Sequence, residues 1–263
     1  MRGLALIKLG GSIVTFKERA VAANEHSIAK ICLALSQITS GAHRRPLIVV
    51  HGGGSFGHYW SVRYDMHTKP SAYDPLGVGI VHDSMVRLNE IIINNMLQKG
   101  IPAYSVPPSV FTRARVPIAD RIKELAAMTA SVVPVTFGDA VYTDAKNYSI
   151  LSGDSIMTIL AKALRPEKVI FVTNVDGIYE DLKSGKLVEE IITGSKSSDR
   201  AINFSNLSGA DVTGGMQRKV TESQEIASLG IDVHIINGLE PQRIVDAIEG
   251  KKVVGTIVRR GSR

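Results

Sequence analysis

An apolar strand that empties directly into glycines occurs twice near the start of this chain, and that junction constrains the fold more than any other feature. Residues 47–50 read Leu-Ile-Val-Val and run into His51, Gly52, Gly53, Gly54, Ser55, Phe56, Gly57 and His58; residues 4–9 run likewise into Gly10, Gly11 and Ser12. An unbroken apolar run marks a strand covered on both faces, as in the centre of a parallel sheet. Glycines at its end let backbone amides come close to an anion. Between the two junctions Ile28, Ile31, Leu35 and Ile38 recur at helical spacing over residues 24–40, with Asn24 as the N-cap and Gly41 past the end. Strand, helix and strand within residues 4–50 make a βαβ unit, which brings both glycine turns to the C-terminal edge of the sheet, where open α/β sheets bind ligands.

The remaining chain repeats this grammar. Residues 64–75 read as a loop, and residues 77–98 as a long amphipathic helix with Val78, Val81, Met85, Leu88, Ile92 and Met96 on one face. Strand patterns at 101–106 and 132–135 enclose a basic, irregular region, and runs at 140–143 and 148–151 read as a hairpin. A helix opens after Leu151-Ser152-Gly153-Asp154, with either Ser152 or Asp154 able to cap it. Residues 168–173 form another apolar strand that turns at Asn174, Asp176 and Gly177. Residues 187–192 read as a short extra strand and 193–198 as a polar loop able to act as a lid; residues 209–219 are a third glycine turn, opening a helix that runs to Leu229 with Lys219 in its first turns. A strand at 233–236, a helix at 241–248 and a strand at 254–258 complete an α/β open αβα sandwich with a mainly parallel central sheet. No linker or repeat divides the chain, so residues 1–263 read as one domain.

Composition narrows the function classes. Hydrophobic residues make up 44% and charged residues 21% of the 263, which is globular usage. The longest apolar segment, 80–96, is broken by His82, Asp83, Arg87, Asn89 and Glu90, so no membrane span is expected. No secretory signal is visible, which gives a cytoplasmic expectation. Cys32 is the only cysteine and lies on an apolar helical face, as core filler. The net charge of +6 favours anionic partners. Basic residues are scattered without interleaved aromatics, which argues for small phosphorylated molecules over nucleic acid.

Phosphoryl transfer needs positioning and charge neutralisation more than covalent chemistry. The glycine turns, Lys8, Lys219 and the carboxylate of Asp154 are parts of that kind. Lys8 at the end of a buried strand would be costly without an anion to meet. The chain has no P-loop, no dinucleotide fingerprint and no protein-kinase signature set. His51 and His82 read as structural hydrogen-bonders, and His58 reads equally as a helix-end histidine bonded to the backbone or as a donor to a bound anion.

In order along the chain, KLGGS, HGGGSFGH, LSGD, TNVDGIY and DVTGGMQRK resemble the amino acid kinase family over nearly the full length. The resemblance implies an acceptor side up to about residue 149 and a nucleotide side from about residue 150. It implies catalytic roles for Lys8, Lys17, His58, Asp154 and Lys219. ATP would meet Lys8, Leu9, Gly10, Gly11, Ser12, Gly54, Asn174, Asp176, Tyr179, Gly215 and Lys219; Asn174 stands where relatives often have Asp. The histidine variant of the second glycine motif resembles the branch whose acceptor is isopentenyl phosphate. That resemblance implies acceptor contacts from Gly53, Gly57, His58 and Gly138, and a tail pocket of Val78, Val81, Ala140 and Ile150. It also implies Mg²⁺ held mainly by nucleotide oxygens rather than by protein ligands, and a homodimer. A fosfomycin-type or amino acid kinase, and a non-catalytic nucleotide sensor, are the rival readings.

Overall fold

Two layers of helices enclose one sheet. In the computed structural model, which describes residues 3–41, 44–113, 116–144, 146–180, 185–193 and 214–261, the N-terminal unit is β1 (Ala5–Leu9), α1 (Gly11–Val14), α2 (Glu25–Thr39) and β2 (Leu47–His51). It continues with α3 (Gly54–Arg63), α4 (Pro75–Gln98), β3 (Ala103–Ser105), the short pair β4 (Thr112–Arg113) and β5 (Val116–Pro117), α5 (Ala119–Met128) and β6 (Val133–Phe137). The hairpin β7 (Asp139–Asp144) and β8 (Asn147–Leu151) leads to α6 (Gly153–Leu164), β9 (Lys168–Thr173), β10 (Ile178–Tyr179), β11 (Leu187–Val188) and β12 (Glu190–Thr193). Then α7 (Gly214–Ser228), β13 (Val233–Asn237), α8 (Gln242–Glu249) and β14 (Gly255–Arg260) close the fold.

The eight-stranded sheet has the order β12-β14-β13-β9-β1-β2-β6-β3, and among these pairs only β13 with β14 is antiparallel. β1 lies in the middle, in register with β2 on one side (Lys8 opposite Val50) and β9 on the other (Lys8 opposite Phe171). Alternation along the strands feeds two cores. Ile7, Leu9, Val49, Val135 and Val172 pack with α2, α4 and α8, while Leu6, Ile48, Val50 and Phe171 pack with α5, α6 and α7. Cys32 is fully buried in the first core, where burial pushes its thiol up to about 12.

Three local expectations need correction. The strand at 101–106 contracts to Ala103–Ser105 because it is the sheet edge and Pro102 supplies no amide to the ladder. The region read as irregular contains α5, whose Ile122, Leu125 and Ala126 make a narrow buried stripe hidden among Asp120, Arg121, Lys123 and Glu124. The run at 187–192 splits in two, since Leu187–Val188 pairs antiparallel with β10 while Glu190–Thr193 joins β14 in the main sheet. Of the segments read as a lid and as the third glycine turn, residues 194–198 and 209–213 lie outside the described residues.

The two glycine turns touch. A Cβ on Gly11 would lie 2.3 Å from the amide nitrogen of Gly54, and Gly54 itself has φ +47°. The Thr15 hydroxyl bridges them, donating to the Gly11 carbonyl at 2.8 Å and accepting from the Ser55 amide at 2.9 Å. Gly79, on the open face of α4, has no atom within 4 Å of where its Cβ would lie. Gly11→Ala is therefore expected to lower stability in urea unfolding by about 2–3 kcal/mol. Gly79→Ala should raise it by about 0.5–1 kcal/mol; equal effects of the two would mean that the turn contact is not tight.

Candidate active site

The strand ends of β1, β2, β6 and β9 open into a cavity of about 740 Å³, a size suited to a small molecule. Three helix starts border it at Gly11, Gly54 and Gly153, and α7 contributes Met216, Arg218 and Lys219. Helix starts carry a partial positive charge and unpaired amides, which favours an anion.

At its floor Lys8 Nζ lies 2.7 Å and Lys219 Nζ 3.4 Å from the same oxygen of Asp154, Oδ1. All three residues are buried. Ser152 caps α6, its hydroxyl accepting from the Ser155 amide at 3.1 Å, which leaves the Asp154 carboxylate for the lysines. Gly153 makes room for this, since a Cβ there would lie 3.1 Å from Lys8 Cε. The Lys219 ammonium also stands 5.2 Å from the centre of the Phe171 ring, a cation–π contact.

Burial alone would raise the Asp154 pKa, but Lys219 and then Lys8 hold it down at about 2. Lys219 is pulled down to about 8, because burial and the neighbouring Lys8 cation outweigh the attraction of Asp154. The two shifts describe one arrangement: two cations share one anion, so the buried cluster carries an excess positive charge that a phosphate group relieves.

His58 is on α3, exposed, and forms part of the cavity wall. It sits mid-helix, not at a helix end. Lys17, Gly10, Ser12, Gly53, Gly57, Gly138, Asn174 and Tyr179 also border the cavity, and its apolar wall includes Val62, Met66, Val81, Met85 and Ile150. His51 is structural: it is fully buried, stacked on Phe137 and bonded to Asn89 Oδ1 at 3.3 Å, and burial pulls its pKa down to about 4.

Four expected contacts fall elsewhere. The Leu9 side chain, one position after Lys8, alternates away into the α2 core. Asp176 turns its carboxylate from the cavity toward Arg243 at 2.5 Å and Asn237 at 3.1 Å, although its neighbours Val175 and Gly177 border the cavity. Val78 lies near the start of α4, short of the stretch occupied by Val81 and Met85, and is not part of the wall. Ala140 is paired with Ile150 across the hairpin, and the longer side chain supplies the wall there. Gly215 stands in the first turn of α7. Met85 is legible from sequence only as part of the apolar helix face, one turn after Val81, and Arg218 and Asp139 carry no site signal beyond the position of Asp139 directly after Gly138.

Paired lysines over backbone-lined anion sites, at the strand ends of an αβα sandwich, are the equipment of a kinase that acts on a small molecule. The model of the amino acid kinase family matches residues 3–237, and the chain belongs to that family. An isopentenyl phosphate kinase of Thermoplasma acidophilum is 33% identical over 258 residues, 97% of this chain and 100% of the relative. One from Methanothermobacter thermautotrophicus is 30% identical, over 96% of this chain and 98% of the relative. The crystal structure of the T. acidophilum isopentenyl phosphate kinase product complex matches with a TM-score of 0.77 at 30% identity, over 97% of this chain and 100% of that one.

The Lys219 shift sets an alkaline limb. A lysine whose pKa is lowered loses its charge as pH rises through about 8, so kcat/KM for ATP should fall above that pH. In Lys219→Arg the limb should vanish, whatever the residual rate, because the guanidinium stays charged. A wild-type profile flat to about pH 9.5 would remove Lys219 from the charge-neutralising set.

Proposed function

We propose that this chain transfers the γ-phosphoryl group of ATP to the phosphate of isopentenyl phosphate, giving the diphosphate and ADP. The observation that carries the reading is the position of His58 in a cavity whose floor is the Lys8–Asp154–Lys219 cluster and whose wall is apolar at Val62, Met66, Val81, Met85 and Ile150. An amino acid acceptor has little use for such a wall, whereas a branched alkyl tail buries against it. The likeness to isopentenyl phosphate kinases over almost the whole chain supports the same acceptor.

In this reading an oxygen of the acceptor phosphate attacks the γ-phosphorus in line, the new P–O bond forms as the bond to the β-phosphate oxygen breaks, and ADP leaves with that electron pair. Lys8 and Lys219 neutralise charge on the transferring group, and Asp154 holds both ammonium groups in place before the reaction begins. Lys17 assists from the loop after α1. His58 donates to the acceptor phosphate, with the backbone at Gly53, Gly57 and Gly138 completing its cradle. Gly10, Gly11, Ser12, Gly54, Asn174, Tyr179 and Gly215 face the nucleotide.

The acceptor lobe runs to about residue 149 and the nucleotide lobe from about residue 150, with the glycine turns at Gly10, Gly11 and Gly54 shared at the phosphates between them. ATP would bring Mg²⁺ on its own phosphate oxygens, to neutralise charge there; the Asp154 oxygen that faces the lysines is already committed to them. The reading extends to a homodimer, an expectation of family resemblance. It also extends to a cytoplasmic setting, which a single buried cysteine suits. No described helix is long and apolar enough to cross a membrane.

An acceptor screen by coupled ADP release should give turnover with isopentenyl phosphate well above that with acetylglutamate, aspartate, UMP or fosfomycin; activity confined to an amino acid or to fosfomycin would overturn the reading, as would ATP binding without transfer to any of them. His58→Gln should lower kcat/KM for isopentenyl phosphate by about 10²-fold or more with KM for ATP near wild type. Equal losses toward both substrates would mark His58 as structural.

A further inference from the structure

A carboxylate stands in the wall of a cavity that takes up anions. Asp139 borders the cavity directly after Gly138, at the start of β7, and its side chain is only 4% exposed. Oδ1 accepts from the Ala140 amide at 2.7 Å, and Oδ2 accepts from His82 Nδ1 at 2.7 Å. Left as a bare anion, such a group would repel a phosphate dianion and would itself be costly to bury.

His82 is placed to prevent both effects. It lies on α4 between Val81 and the turn that carries Met85, two residues of the apolar wall, and its side chain is half exposed, so it exchanges protons with water. The charged groups acting on it are Asp139 from β7 and Asp83 beside it on α4, and Asp83 is itself paired with Arg87 at 2.9 Å. The hydrogen bond to Asp139 raises the His82 pKa. Burial pushes Asp139 up while the imidazole opposes that push. The favoured state is the imidazolium–carboxylate pair, since His82 remains open to solvent and keeps its charge at little cost.

We propose that His82 is a specificity-determining positioning residue: its imidazolium neutralises Asp139, so the cavity admits a doubly charged phosphate acceptor. The inference rests on the phosphate-acceptor reading above. It differs from the role of His58, which meets the acceptor itself, because His82 acts through Asp139.

Its test is suppression. His82→Ala should raise KM for isopentenyl phosphate roughly tenfold, about the effect of one unscreened charge near the site, while kcat and KM for ATP change less than about threefold. Adding Asp139→Asn to His82→Ala should bring the acceptor KM back to within about threefold of wild type, because the unpaired charge is gone. A purely structural pair would give no such rescue. Calorimetry of inorganic phosphate on the ADP-saturated protein reads the same order, weaker in His82→Ala and restored in the double variant, without requiring turnover. Absence of wild-type turnover with isopentenyl phosphate would therefore sink the acceptor reading while leaving this comparison intact. An unchanged acceptor KM and phosphate affinity in His82→Ala, or no rescue by Asp139→Asn, would overturn the inference.

Discussion

Everything at this site depends on one oxygen atom of Asp154 that holds two buried ammonium groups. A lone buried lysine would shed its proton, and a lone buried aspartate would take one up. Held on one oxygen, Lys8, Lys219 and Asp154 offset one another's burial, with two ammonium groups to one carboxylate. This leaves a positive charge that a phosphate is suited to balance. The same cluster links distant parts of the chain, because its members sit on the central strand β1, on α6 and on α7.

Backbone contact is the second constraint. Gly11 and Gly54 approach so closely that neither position has room for a side chain, and the Thr15 hydroxyl ties the two turns together. The N-termini of α1 and α3 are thereby held beside one another at the rim of the lysine cluster. Side chains then divide the cavity by chemistry: lysines at the floor, His58 on the wall, and aliphatic and thioether groups from α3, α4 and β8 along its apolar side.

Much of this was legible in the sequence because strong local signals coincided with the global fold. Unbroken apolar runs gave the central strands, and the order of glycine turns gave the family and, through it, Lys8, Asp154 and Lys219. What escaped was information held in orientation. Leu9 and Lys8 are neighbours in sequence but face opposite layers, and Asp176 follows a cavity residue yet turns to Arg243. The helix α5 was hidden because its three buried residues, Ile122, Leu125 and Ala126, set among charges, give too narrow a stripe. The His82–Asp139 pair was invisible for a different reason: it joins residues 57 positions apart, and no periodicity encodes which helix face meets which hairpin.

The most direct measurement of the central claim is a double-mutant cycle on kcat with Asp154→Asn, Lys219→Ala and the two combined. If Asp154 acts by holding the lysines, each single change should lower kcat by about 10²–10³-fold, and the combination should be no more than about tenfold worse than the greater single loss. Losses that multiply, to about 10⁵-fold, would mean that Asp154 and Lys219 act independently and would contradict the shared-carboxylate account.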